Sequence, residues 1–265
     1  MSTPAPRRWA LILGASSGFG GATAVELAKA GHNVIGVHLD RSSTLPMAEK
    51  VQQDVRALGK EAIFFNVNAA DPEKRKMVAE QIKGKLAQGE FVNVVMHSLA
   101  FGTLKAFAGP KADDVVSQKQ MEMTLDVMAN SLVYWVQDLD FLGLLQRGSR
   151  IFAMTSAGDF HAWPSYGPVS AAKAALEAHI RQLAYEMAAR GISANSIRAG
   201  VTDTPALRKI PGNDLLIAGA LKKNPSKRLT APEDVAKAIV ALSDDRAYWI
   251  TGNVIGVDGG EELTG

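Results

Sequence analysis

Tyr166 and Lys173 are the side chains in this 265-residue sequence best suited by type and spacing to moving a proton. They stand seven positions apart in Ser165-Tyr166-Gly167-Pro168-Val169-Ser170-Ala171-Ala172-Lys173, which opens an apolar run over 174–188. At about 3.6 residues per turn this is close to two helical turns, so a helix would point both side chains from one face. A phenol beside an ammonium makes a proton donor. The cation is expected to favour the phenolate, lower the Tyr166 pKa and prepare the hydroxyl to protonate or polarise a carbonyl oxygen. The plain alternative is a Tyr and a Lys that share a helix face by accident.

The elements around this pair follow from apolar patterning and turn residues. Residues 9–13 form a short apolar strand, and Gly14, Ala15, Ser16, Ser17, Gly18, Phe19 and Gly20 follow it directly. A helical pattern then covers 21–29 and stops at Gly31. Strand, glycine-rich turn and helix together suit a dinucleotide, because glycines let the backbone approach a pyrophosphate at the helix amino end. The spacing is G-x-x-x-G-x-G, and its plain alternative is an ordinary tight turn. The second strand, 33–37, ends in His38-Leu39-Asp40-Arg41, which should face an adenosine ribose. An acid there binds the 2′-hydroxyl of NAD, whereas a base accepts the 2′-phosphate of NADP. With both Asp40 and Arg41 present, these residues leave the choice open.

A helix is expected over 44–58, then a third strand over 62–65 followed by Asn66 and Val67. Asp71-Pro72 marks a helix start, with Pro just inside an Asp cap. The fourth strand, 92–96, runs into His97-Ser98-Leu99-Ala100. No acid or nucleophile accompanies His97 nearby, so it reads as a strand-end residue in preference to a catalytic base. One long apolar helix over 121–145 carries Asp126, Asn130, Tyr134 and Trp135; its Met and aromatic residues read as core or subunit interface. The fifth strand, 150–154, ends at Thr155-Ser156. Gly191 stops the Tyr166–Lys173 helix, and a sixth strand, 193–198, leads into Ala199-Gly200-Val201-Thr202-Asp203-Thr204. The last strand, 254–257, closes on Asp258-Gly259-Gly260.

This alternation predicts an α/β fold, a Rossmann-type doubly wound parallel sheet with helices on both faces, in one domain over 1–265. Ligands bind at the carboxyl ends of such strands, where every motif above lies. The expected cofactor contacts are therefore Gly14, Ser16, Ser17, Gly18, Phe19, Gly20, His38, Leu39, Asp40, Arg41, Asn66, Val67, Ser98, Leu99, Ala100, Gly200, Thr202 and Thr204.

Composition narrows the possibilities. With 47% hydrophobic residues the chain can bury a substantial core. It has no cysteine, which excludes disulfides, thiolate metal sites and cysteine nucleophiles, and no metal site is expected. Residues 1–8 lack the apolar run of a signal peptide, and no segment approaches the roughly 20 apolar residues of a membrane span. A formal charge of +2 is too small and scattered to argue for nucleic acid. A cytoplasmic protein is the expectation.

Taken together, the glycine motif at 14–20, strand-end Ser156, the Tyr166/Lys173 helix and the Val-Asp-Gly-Gly ending at 257–260 resemble the short-chain dehydrogenase/reductase family over 9–260. The resemblance implies a nicotinamide cofactor across the strand ends, Lys173 holding its ribose and Tyr166 donating a proton as hydride reaches the substrate. Most members carry Tyr four residues before the Lys, a slot that Val169 fills here. Tyr166 stands three residues earlier, as in the divergent branch containing the enoyl-acyl-carrier-protein reductases. His97-Ser98-Leu99-Ala100 is similar to the His-Ser-Ile-Gly of that branch, where most members have Asn-Asn-Ala-Gly. Asp126 replaces the usual catalytic Asn, and Ala199-Gly200 the usual Pro-Gly.

The displacement has a chemical rationale. In enoyl thioester reduction, hydride lands on C3 and charge develops on the thioester oxygen, further away than the oxygen of a reduced ketone, so its stabiliser must also stand further away. Three helix positions move the anchor by about 4.5 Å at about 1.5 Å per residue. Against this, Ser156 occupies the slot of the catalytic Ser of ketone-reducing members, and the glycine loop keeps the usual family spacing. Some NADPH-dependent bacterial enoyl reductases combine these features. The cofactor implied is NADP(H) or NAD(H), with a lean to NADP(H).

Residues 204–225 resemble the family's substrate lid. Leu207, Ile210, Leu215, Leu216, Ile217 and Leu221 could cover an acyl chain. Arg208, Lys209, Lys222 and Lys223, with Lys227 and Arg228, could meet an acidic carrier protein or form a solvated face. The expected activity is reduction of a 2-enoyl thioester carried by acyl carrier protein or coenzyme A, in a homotetramer. The alternatives are a carbonyl reductase or alcohol dehydrogenase of the same family, such as a 3-oxoacyl thioester reductase using Ser156, and a nicotinamide-binding regulator without turnover.

Overall fold

The computed structural model describes residues 7–264. Seven strands, β1 (Arg8–Leu13), β2 (Asn33–His38), β3 (Ala62–Asn66), β4 (Phe91–His97), β5 (Arg150–Thr155), β6 (Ser193–Ala199) and β7 (Val254–Val257), form one sheet in the order β3-β2-β1-β4-β5-β6-β7. Every neighbouring pair is parallel. The helices in chain order are α1 (Gly18–Lys29), α2 (Leu45–Ala57), α3 (Pro72–Lys85), α4 (Gln118–Leu125), α5 (Ser131–Phe141), α6 (Gly167–Met187), α7 (Asn213–Lys223) and α8 (Pro232–Leu242).

Parallel strands buried on both faces need apolar residues at every position, and β1 supplies them. Trp9, Leu11 and Leu13 point into one core, with Leu132, Trp135, Leu176 and Ile180 of α5 and α6. Ala10 and Ile12 point into the other, with Leu27 of α1, Val55 of α2 and Val235 and Ile239 of α8. The expected sheet and two-sided helical cover are present. Helix α8, which the sequence reading left unassigned, packs on α1.

The single helix expected over 121–145 is corrected. α4 and α5 are separated by five residues of wider π-type winding, Asp126–Asn130, and α5 ends at Phe141 before Gly143 takes a positive φ of 68°. Such a bulge inserts into an otherwise continuous helix and leaves no break in apolar periodicity to betray it. Helix α1 also begins earlier than expected, at Gly18, because extended Ser17 (φ −163°) turns directly into it. Among the described residues no helix is long and apolar enough to cross a membrane, and no group of three or more His, Cys, Asp or Glu could hold a metal ion.

Candidate active site

Strand order reverses between β1 and β4, and this is where an open α/β sheet forms its ligand crevice. The two strand ends meet there: Ser98 N–H donates to Leu13 O at 2.8 Å, and Gly14 and Ala15 N–H both donate to Val37 O, at 2.8 and 3.1 Å. Gly14 has φ +92°, and a Cβ on it would lie 2.5 Å from Ser98 O. A Cβ on Gly20 would lie 2.0 Å from Gly14 O. Glycine at these two positions thus lets α1 close against the strand ends. The result is a tight turn of small residues at the amino end of a twelve-residue helix, a cradle that fits a pyrophosphate. Thr204 lies beside Gly18, 3.5 Å from where a Cβ would stand. Thr202 and Thr204 are buried. The glycine loop and the loop after β6 therefore meet across the crevice.

At the far end, β2 and β3 pair His38 with Asn66. His38 Nδ1 and Asp40 Oδ2 are 2.8 Å apart. Asn66 clamps the Asp40 backbone, accepting from its N–H and donating to its C=O, both at 2.9 Å. The Asp40 carboxylate is therefore held in and only 9% exposed. Arg41 stands in solvent with no ion pair among the described residues, and Leu39 is 70% exposed. Val67 N–H closes this corner on His38 O at 2.8 Å.

The candidate proton-handling residues gather at the ends of β4, β5 and β6. The register places His97 opposite Ala153 and Thr155 opposite Arg198. His97 is fully buried, with Nε2 2.9 Å from Ser131 Oγ, and burial lowers its pKa to about 3. It is a neutral structural ring, as its strand-end placement suggested. Ser156 follows β5, and its hydroxyl lies 3.3 Å from the Tyr166 hydroxyl. Lys173 lies on the buried stripe of α6 and donates from Nζ to Met154 O at 2.6 Å. Burial lowers its pKa to about 8, and neighbouring Glu177 opposes that fall.

Two expectations about Tyr166 are corrected. It is the residue before α6, not part of it, and follows Ser165, whose φ of 62° is unusual for a residue other than glycine. Its pKa moves up, not down. Burial is the largest cause, the Asp159 carboxylate adds to it, and the Ser156 hydroxyl opposes it; Lys173 is not among the causes. Met154 O takes the ammonium instead, leaving the phenol firmly protonated.

Residues 204–225 differ from a simple amphipathic pair. They contain one short turn, Leu207–Lys209, and α7. Leu207 and Ala220 are buried, whereas Leu215 is exposed. Of the basic residues, Arg208 is paired with Asp203 at 2.7 Å and Arg228 with Asp234 at 2.5 Å, so the basic face is smaller than its sequence count. Trp163 Nε1 donates to Pro211 O at 3.1 Å and ties this segment to the β5–α6 loop.

Sequence reading missed four residues beside the site. Gly158 lies under the Tyr166 ring. Asp159 and Glu177 flank Arg198, each at 3.3 Å. The available signal was Glu177, an acid one turn after Lys173 on an otherwise apolar helix stripe.

Residues 14–262 match the family model described as "Enoyl-(Acyl carrier protein) reductase". The chain belongs to that family: it is a short-chain dehydrogenase/reductase, an oxidoreductase resembling the enoyl-acyl-carrier-protein reductases. It is 33% identical to the enoyl-[acyl-carrier-protein] reductase [NADH] of Aquifex aeolicus over 175 residues, 66% of this chain and 63% of that one, so the match spans less than two thirds of that relative. It is 30% identical to a 3-oxoacyl-[acyl-carrier-protein] reductase of Synechocystis over 255 residues, 95% of each chain. The crystal structure of the Aquifex aeolicus enzyme superimposes with a TM-score of 0.82 at 26% identity, covering 98% of this chain and 97% of that one.

Proposed function

We propose that this protein reduces 2-enoyl thioesters carried by acyl carrier protein or coenzyme A. The observation that carries the reading is the exchange between two residues near the start of α6. Val169, in the slot where most members keep their Tyr, is packed in the core, while Tyr166 turns its hydroxyl toward Ser156. A donor anchored earlier in the chain suits an oxyanion that develops beyond the reacting carbon.

A nicotinamide dinucleotide, held along the glycine loop, Asp40 and Arg41, Asn66 and Val67, Ser98 to Ala100, Gly200, Thr202 and Thr204, supplies the hydride. Lys173 binds its ribose hydroxyls and keeps a positive charge beside the reacting groups. Tyr166, kept as a phenol by burial, donates a hydrogen bond to the enolate oxygen as charge develops there. Leu207, Ile210, Leu216 and Ile217 exclude water above the acyl chain. Lys209, Lys222 and Lys223 attract an acidic carrier. Exposed Arg41 favours NADP(H). We assign the protein to the cytoplasm as a homotetramer, paired through α5 and α6, which expose Phe141 and Tyr185.

A second reading rests on the 3.3 Å spacing of Ser156 and Tyr166, which lets both hydroxyls reach one ketone oxygen, as a 3-oxoacyl thioester reductase would require. The test is cofactor oxidation with crotonyl against acetoacetyl thioesters, each with NADH and NADPH, for the wild type and Tyr166→Phe. Crotonyl turnover that collapses in the variant is the expected result. Turnover of acetoacetyl thioester alone would replace the enoyl reading with the second one. Tight nicotinamide binding without turnover of either would indicate a regulator.

A further inference from the structure

Behind Tyr166 and Lys173 lies a set of charged side chains with no place in the chemistry above. Glu177 is buried, one turn after Lys173 on the same helix stripe, and accepts from Thr155 Oγ1 at 2.8 Å. Arg198, opposite Thr155 on β6, donates from one terminal nitrogen to Glu177 Oε1 and to Asp159 Oδ2, each at 3.3 Å. The same guanidinium lies over the Phe160 ring, 4.8 Å from its centroid. Both carboxylates are nearly sealed from water, at 9% and 8% exposed.

Two buried carboxylates against one guanidinium leave the cluster with an excess negative charge. Isolated charges are too costly to bury, so a cluster placed beside the reacting groups rather than replaced by apolar packing needs a compensating role. Its position supplies one. Asp159 directly follows Gly158, on which the Tyr166 ring rests, and Glu177 is Lys173's neighbour along α6.

We propose that Asp159, Arg198 and Glu177 form a positioning cluster whose two carboxylates outnumber its one guanidinium and hold negative charge against Lys173 and Tyr166. Glu177 opposes the loss of the Lys173 proton that burial favours, and Asp159 adds to burial in keeping Tyr166 a phenol. The proposal rests on the assignment of Tyr166 as hydrogen-bond donor but not on which thioester is reduced. Apart from the cluster, the polar groups facing these residues are Thr155 of β5, Ser156 after it, and neutral His97 of β4 near Lys173. His161, next to Phe160, is turned outward to Glu262 at 3.0 Å.

The test begins with cofactor-free protein. Phenolate absorbance is titrated against pH in the wild type and in Asp159→Asn, each with its Tyr166→Phe counterpart, so that the difference isolates Tyr166 from Tyr134, Tyr185 and Tyr248. In Asp159→Asn the Tyr166 midpoint moves to lower pH. In Glu177→Gln the alkaline limb of kcat/KM moves to lower pH, and kcat falls at least about tenfold while the thioester KM stays within about twofold. Arg198→Lys, which keeps the cation, retains more activity than Arg198→Met. An unmoved Tyr166 midpoint in folded Asp159→Asn overturns the proposal, as does an unmoved alkaline limb in folded Glu177→Gln. Should Glu177→Gln not fold, Asp159→Asn decides, because its side chain lies on a short turn outside the helix. Failure of the enoyl reading would appear in the product of turnover and leave the titration unaffected.

Discussion

The ring of Tyr166 rests on Gly158, where a Cβ would stand 2.4 Å from Tyr166 Cε1 and 3.0 Å from Cδ1. No side chain fits between the β5–α6 turn and the phenol, so this contact and the Ser156 hydroxyl together fix the ring. Gly158→Ala should displace the phenol while leaving both cores intact. The expected outcome is a loss of about 100-fold in kcat, with nicotinamide affinity and Tm little changed. Steady-state kinetics with cofactor titration measure it, and near-normal kcat would show that the ring tolerates being moved.

On the proposed reading, Arg41 and Asp40 divide the discrimination of the cofactor. Asp40 is tied to His38, whereas Arg41 is free in solvent. Arg41→Ala should raise the KM for NADPH about tenfold and leave that for NADH within about twofold, since only the former carries the extra phosphate. Equal losses with both cofactors would move the discrimination from Arg41 to Asp40.

Lys173 should set the alkaline limit of activity. Burial lowers its pKa to about 8, so the ammonium is present below that pH and is lost as the pH rises through it. The profile of kcat/KM, which reports the free enzyme, should fall above about pH 8. A profile flat to pH 10 would show that this charge does not matter to the rate.

His97 should make the fold sensitive to acid. Its pKa is about 3 when folded, against 6.5 for the free side chain, so between those values the unfolded chain binds the extra proton. Its contribution is complete above pH 6.5 and declines as the pH falls toward 3, by on the order of 5 kcal/mol in all. Urea melts of the wild type and His97→Gln between pH 7 and 4.5 measure the difference in slope. Equal slopes would assign the acid sensitivity elsewhere, with buried His32, whose pKa is lowered to about 4, the next residue to test.

Trp163 holds the proposed lid through Pro211 O. Trp163→Phe keeps the ring and removes the donor, and should raise the thioester KM severalfold with kcat nearly unchanged, a loss of about 1 kcal/mol in binding. A fall in kcat at constant KM would place Trp163 in the chemistry instead of the lid.

Much of the fold was legible because its signals are local. The run from Trp9 to Leu13, the glycines at 14, 18 and 20 and the helix to Lys29 lie within one short stretch, and backbone conformation there depends on residue type. The same holds for Gly191, which has φ 73° and ends the α6 region as expected. The π-type winding at Asp126–Asn130 was not legible, because apolar residues continue through it.

By itself the sequence determined the strand and helix order, the glycine turn and the placement of Tyr166, Lys173 and Ser156 at strand ends. The proton state of that site was decided only in three dimensions. Whether Lys173 faces a phenol or a backbone carbonyl depends on where β5 lies, and Met154 O takes its ammonium. Asp159 and Arg198 are 39 positions apart in the chain, and Glu177 is 21 from Arg198; pairing of β5 with β6 and packing of α6 bring them together. Spacing along a chain sets which side chains can share a helix face, but desolvation and long-range charge set their protonation, and both come from the packed fold.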